Sequence, residues 1–206
     1  MRQIDHLVYC VPDLATAVEL LSDHWGVEPV LGGRHLTKGT KNALLNLGDG
    51  AYLELLALDG ENKEVAAPRW MGIDHIERPT LTRWAIKSEK LEEDRAIISS
   101  RRPDLGEVFS GSRERTDGQL LEWSMLLPAA SPTVEIVPFA VDWLGSEHPT
   151  KALPAECSLK ELRLFHPDPE TIQELFTALS IERSVHFAPE PAIQAYLETP
   201  NGLRLI

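Results

Sequence analysis

A histidine and a glutamate set in apolar, strand-like runs are the residues of this 206-residue chain best placed to do chemistry. His6 lies in Ile4-Asp5-His6-Leu7-Val8-Tyr9-Cys10, and Glu54 in Ala51-Tyr52-Leu53-Glu54-Leu55-Leu56-Ala57. Alternation along a strand puts Ile4, His6, Val8 and Cys10 on one face, opposite Leu7 and Tyr9. It likewise groups Tyr52, Glu54 and Leu56 against Leu53, Leu55 and Ala57. The wholly apolar faces belong under a helix, so His6 and Glu54 turn toward the other, concave side. An unpaired carboxylate is costly to bury, which calls for a metal ion or a hydrogen-bonding ligand beside it. The alternative is a Glu54 at a wet sheet edge and a His6 satisfied within the core.

Other residues are candidates to complete such a site. His35, in a Gly-rich stretch before Thr40 and Asn42, is a candidate general base or ligand, and with Glu54 forms the expected catalytic pair. Asn42 is a candidate substrate contact. A mononuclear metal site needs three or four ligands, and Glu122, Asp142 or His148 are candidates to join His6 and Glu54. Glu122 lies four residues after a glycine, as Glu54 does, but no spacing singles one of them out. Arg83 and Arg113 suit bidentate recognition of a carboxylate or phosphate, although surface pairing with acids such as Glu114 and Asp117 explains an exposed arginine equally well. Trp84, Trp123 and Trp143 are candidate walls for an aromatic or apolar substrate, with core packing as the competing role.

The elements that must position these residues are legible from pattern. Ile4–Cys10 reads as a strand. Asp13 caps a helix with Leu14, Ala17, Val18, Leu21 and Trp25 on one face, and Gly26 stops it. Ala43–Leu47 and Ala51–Leu58 flank Gly48-Asp49-Gly50 as a hairpin. The order strand, helix, strands returns in Leu81–Ile86, Leu91–Ser99, Gly106–Arg113, Leu120–Leu127 and Val134–Trp143. It returns again in Leu159–Phe165, a helix opened by Asp168-Pro169, and the hairpin Ile193–Glu198 with Leu203–Ile206. Recurrence of this kind sets the architecture: an α+β protein of βαβββ units over residues 1–59 and 80–143, with a shorter third unit over 156–206. Two units side by side form a curved mixed sheet whose concave face is a ligand cleft. The third unit then lacks an obvious partner, which predicts a homodimer.

Composition bounds the partners. A formal net charge of −12 argues against nucleic acid or an anionic membrane surface, and no apolar run approaches the roughly 20 residues of a membrane span. Cys10 and Cys157 stand far apart outside any CxxC spacing, which favours a cytoplasmic protein with buried thiols over a disulfide framework. No Walker loop, Rossmann fingerprint, nucleophile elbow or HExxH is present.

Ile4-Asp5-His6-Leu7-Val8-Tyr9 followed by Pro12-Asp13-Leu14, together with Gly48-Asp49-Gly50-Ala51-Tyr52-Leu53-Glu54, resembles the opening and closing segments of vicinal-oxygen-chelate proteins. Gly32-Gly33-Arg34-His35, Gly39-Thr40-Lys41-Asn42, Ser112-Arg113 with Asp117-Gly118, Pro138-Phe139 with Asp142-Trp143, His148-Pro149 and Thr199-Pro200-Asn201-Gly202 narrow this to the glyoxalase-like domain proteins. The resemblance implies the βαβββ fold and metal ligands at His6 and Glu54. It also implies one divalent ion (Mn, Fe, Ni, Zn or Co) and a small anionic or vicinal-oxygen substrate for isomerase, lyase or dioxygenase chemistry. A metal-free protein that sequesters a small molecule is the alternative, and an assembly module with a vestigial cleft a third. The chain departs from the pattern where the middle unit offers Arg83 and Trp84 at the ligand position and the last unit offers Glu161 and Ile206.

Overall fold

The structure is a computed structural model that describes residues 2–114 and 120–206; for 112–114, 120 and 121 it describes the backbone alone. Two successive runs of the chain build one eight-stranded sheet. The first holds β1 (Ile4–Cys10), α1 (Leu14–Trp25), β2 (Val30–His35), β3 (Thr40–Asn46) and β4 (Tyr52–Leu58). The second holds β5 (Thr80–Lys87), α2 (Leu91–Arg101), β6 (Val108–Glu114), β7 (Leu120–Leu126) and β8 (Phe139–Asp142). The strand order is β2-β3-β4-β1-β5-β8-β7-β6. In each run the last strand returns parallel to the first, β4 beside β1 and β8 beside β5. β1 and β5 pair antiparallel at the seam, so the two halves repeat one strand order outward from the centre. The sheet curls into a half-barrel.

Local chemistry explains the elements beside the site. Asp13 accepts the N–H of Thr16 at 2.8 Å and starts α1, and Gly26, at φ 73°, ends it with its own N–H on the Ser22 carbonyl. Leu14, Ala17, Leu21 and Trp25 bury the inner face of α1 on β3 and β4. α2 buries Leu91 and Ile98 over β7 and β8. It also buries Asp94, whose carboxylate is held by Ser88 Oγ at 2.6 Å and by Arg2.

The third run comprises β9 (Ser158–His166), α3 (Pro169–Ala178), β10 (Val185–Phe187), β11 (Ala192–Thr199) and β12 (Gly202–Leu205), in a separate sheet ordered β10-β9-β11-β12. Its element order repeats the earlier runs but its pairing does not. β10 lies parallel beside β9, and β11 lies antiparallel on the other side. This sheet packs within the chain, on the convex side of the seam. β11 lies against β5, Phe176 of α3 meets the edge of Trp84 at 5.8 Å, and Leu159 N–H donates to the Leu47 carbonyl at 2.9 Å. The expected homodimer rested on an unpartnered third unit, and that premise fails. The strand expected over Val134–Trp143 is also shorter: only Phe139–Asp142 pairs, and the chain before it folds over Arg83. Both cysteines are buried, and burial pushes Cys10 up to about 12 and Cys157 up to about 11. These are packing thiols rather than nucleophiles. No helix among the described residues is long and apolar enough to cross a membrane.

Candidate functional site

The concave face encloses a cleft of about 450 Å³. Its polar end is built on β1, β3 and β4. A bulge in the pairing of β1 with β5, between Ile4 and His6, breaks the alternation that would send Asp5 to the opposite face. The Asp5 carboxylate, fully buried, instead accepts His6 Nδ1 at 2.6 Å, Trp143 Nε1 at 2.8 Å and His148 Nε2 at 3.2 Å. Burial alone would raise its pKa, but the hydrogen bonds from His148 and His6, reinforced by their charges, hold it below the usual carboxylate range. Asp5 is therefore an anion, and an anion beside Nδ1 fixes the proton there.

With Nδ1 committed, His6 has only Nε2 to offer the cleft. Its ring is clamped, stacked on Tyr52 at 4.6 Å and met edge-on by Phe139 at 5.2 Å. Nε2 faces Glu54 Oε2 across 3.8 Å. Glu54 is 6% exposed, and its other oxygen accepts Asn42 Nδ2 at 2.6 Å. His35 stands behind it, with Nε2 at 3.9 Å from Glu54 Oε1 and Nδ1 bonded to Thr40 Oγ1 at 3.0 Å. Gly32 leaves Asn42 its place here, because a Cβ at that position would lie 2.3 Å from Asn42 Oδ1 and push the amide aside. The floor includes Met71, held at φ 61°, a left-handed backbone that a side chain strains to adopt. The second half supplies apolar walls: Phe109, Trp123, Met125, Phe139 and Val141.

His6, His35, Asn42, Glu54, Trp123 and Trp143 thus all border the cleft. The remaining sequence candidates lie elsewhere. The Arg83 guanidinium is buried and donates to the carbonyls of Thr82, Ala129, Pro132 and Thr133 at 2.7–2.9 Å, so it plugs the barrel rather than binding substrate. Burial pushes its pKa down to about 10. Trp84 pairs with Leu7 on the convex face, donates to the Ile136 carbonyl and packs on Phe176. Glu122 is exposed, because its neighbour Trp123 takes the cleft side of β7. Asp142 sits between the lining residues Val141 and Trp143 and caps the Leu144 N–H at 2.9 Å. His148 has both nitrogens engaged, Nε2 by Asp5 and Nδ1 by Thr150. The side chain of Arg113 lies outside the described residues.

Sequence reasoning missed Asp5, which stands next to His6 and whose face depends on a bulge visible only in the β1–β5 register. Tyr52 stood in the same face group as Glu54, which was a usable signal for its stacking role. Lys38, Trp70 and Phe109, also at the cleft, carried none.

The sequence matches the family model of the glyoxalase-like domain over residues 4–180. The chain belongs to the glyoxalase-like domain family. Among solved structures it is similar to a hypothetical protein from Staphylococcus aureus, at 15% identity and TM-score 0.67, over 93% of this chain and 88% of that one. It is also similar to methylmalonyl-CoA epimerase from Mycobacterium tuberculosis, at 23% identity and TM-score 0.43, over 68% of this chain and 86% of that one. The first likeness supports the fold. No curated protein matches the chain in sequence.

The family fold implies a divalent ion, and the donor set of this glyoxalase-like protein does not fit one. A mononuclear centre draws three or four ligands from the protein. His6 and Glu54 supply two; the further donor His35 holds Thr40 through Nδ1 and faces the other Glu54 oxygen from the one that His6 faces, while the facing wall presents Met125, Phe139 and Val141. Among the described residues no group of three His, Cys, Asp or Glu is placed to hold a metal. The cleft is that of a glyoxalase-fold protein able to take a small molecule, with its chemistry gathered on one side.

Proposed function

We propose that this protein moves a proton on a small carbonyl compound with its own side chains, as an isomerase- or lyase-type catalyst. The observation that carries this reading is the Asp5–His6–Glu54 line. Asp5 commits Nδ1, and Nε2 and the free Glu54 oxygen converge at 3.8 Å. Two lone-pair groups so placed repel unless a proton or a ligand donor lies between them. In this scheme Glu54 Oε2 takes a proton from the carbon beside a substrate carbonyl. The C–H electron pair passes into the carbonyl, and His6, carrying a proton on Nε2, gives it to the developing oxygen. Reversal at the other carbon face or at a neighbouring carbon completes an isomerisation. Asn42 holds Glu54 in place, and the apolar walls exclude water, which strengthens both charges. The arrangement moves the expected chemistry away from metal-assisted steps and keeps the proton transfer.

Solvent-deuterium exchange tests the reading. Butyrophenone and 4-oxo-4-phenylbutanoate, incubated with the protein in D2O, are expected to gain deuterium beside the ketone, with exchange lost in Glu54→Gln and in His6→Ala. Exchange that persists in both variants, or is absent from the wild type with both ketones, contradicts it.

A further inference from the structure

Lys38 lies in the turn between β2 and β3, half-buried at the cleft. Its ammonium sits 4.4 Å from the ring centre of Phe109, on the second half, and 5.8 Å from that of Trp70. The neighbouring cation, Arg34, is already neutralised by Asp59 and Glu61. Lys38 differs: among the described residues no carboxylate lies within ion-pair distance of it. The aromatic faces hold the ammonium in place and strip part of its hydration. They leave its N–H donors without an anionic acceptor. At the polar end of the same cleft stands Glu54, the only carboxylate among the described lining residues.

We infer that Lys38 anchors the substrate and that the substrate is a small carboxylate with an apolar body. Resting on the proton-transfer reading, this gives the reacting molecule a direction. Its carboxylate meets Lys38, its body lies against Trp70, Phe109, Trp123 and Met125, and its reacting carbonyl reaches His6 and Glu54. Glu54 enforces the same direction by repelling an anion from its own end, in walls of low polarity where charges act strongly. A phosphate fits less well. A dianion is usually met by an arginine fork or several backbone N–H groups, and the described lining residues offer one free point charge. Of the two expected anion binders, Arg83 is committed to four carbonyls and the side chain of Arg113 lies outside the described residues, so among the described lining residues the role falls to Lys38, which has no motif around it.

The test is calorimetric titration of 4-oxo-4-phenylbutanoate and of butyrophenone, which share an aromatic ketone body and differ in the carboxylate. The wild type is expected to bind the carboxylate about tenfold more tightly, the size of one charge-assisted hydrogen bond. Lys38→Met, which keeps an apolar stem against the rings, is expected to bind both equally; Lys38→Arg is expected to keep the preference. Equal affinities in the wild type, no carboxylate binding by the wild type, or a preference that survives Lys38→Met each overturn the assignment. Glu54→Gln separates the two claims: it should cut deuterium exchange sharply, while any carboxylate preference it retains, with the repelling charge gone, should still disappear when Lys38→Met is added. A preference without exchange in the wild type would sink the proton-transfer reading alone.

Discussion

The two halves of the large sheet share a strand order and differ in what they put beside the seam. The first half turns His6, Tyr52, Glu54 and Asn42 toward the cleft and backs them with Asp5. The second turns Phe139, Val141 and Met125 inward, and spends the buried guanidinium of Arg83 on the carbonyls of its own covering loop. The topology provides two equivalent places for ligands, and this sequence has filled one with chemistry and the other with packing. A duplicated fold therefore does not carry a duplicated site. A metal centre that draws donors from both halves would find them, among the described lining residues, in the first half alone.

This contrast can be broken by substitution. Arg83→Met should have the largest effect on stability, because it takes the guanidinium donor from the part-buried carbonyls of Ala129, Pro132 and Thr133 and unpins the segment that covers it. A loss of about 3 kcal/mol or more is expected in chemical denaturation, with butyrophenone binding unchanged in the folded fraction. Weaker binding would mean that Arg83 reaches the cleft after all. Glu54→Gln should act in the opposite sense. Deuterium exchange is expected to fall by roughly a hundredfold, while the melting temperature moves by only a few degrees. Gly32→Ala should come next, since its methyl group displaces Asn42 and loosens Glu54; a drop in exchange of roughly tenfold is expected, with little change in melting temperature. Gly111→Ala, on the apolar side, places a Cβ 2.5 Å from the Trp123 ring. It should shift the affinity for butyrophenone and leave the exchange rate at saturation unchanged.

Much of this was legible in the sequence, and the unread part has a common cause. His6 and Glu54 face the cleft because their runs are long, apolar and regular, so period-two alternation survives. Asp5 escaped the same rule because one bulge reverses its face, and a bulge is a property of the pairing rather than of the strand. Arg83 does share the His6 side of the sheet, as its register opposite Val8 shows. What removed it from the site was the segment 129–133 folding over it, and nothing in that segment's composition names its contact. The two βαβββ units were readable from element order. The third was readable in its order but not in its pairing, because order does not say which strand β10 pairs with, and a three-residue strand gives no periodicity.

The central claim is that His6 and Glu54 move a proton without help from an ion. Its most direct test measures deuterium exchange into butyrophenone by protein treated with a chelator, and then by the same protein with Mn, Fe, Co, Ni or Zn added back. The account predicts an undiminished rate after chelation and no gain from any of the five. Exchange that vanishes on chelation and returns with one of them would contradict it.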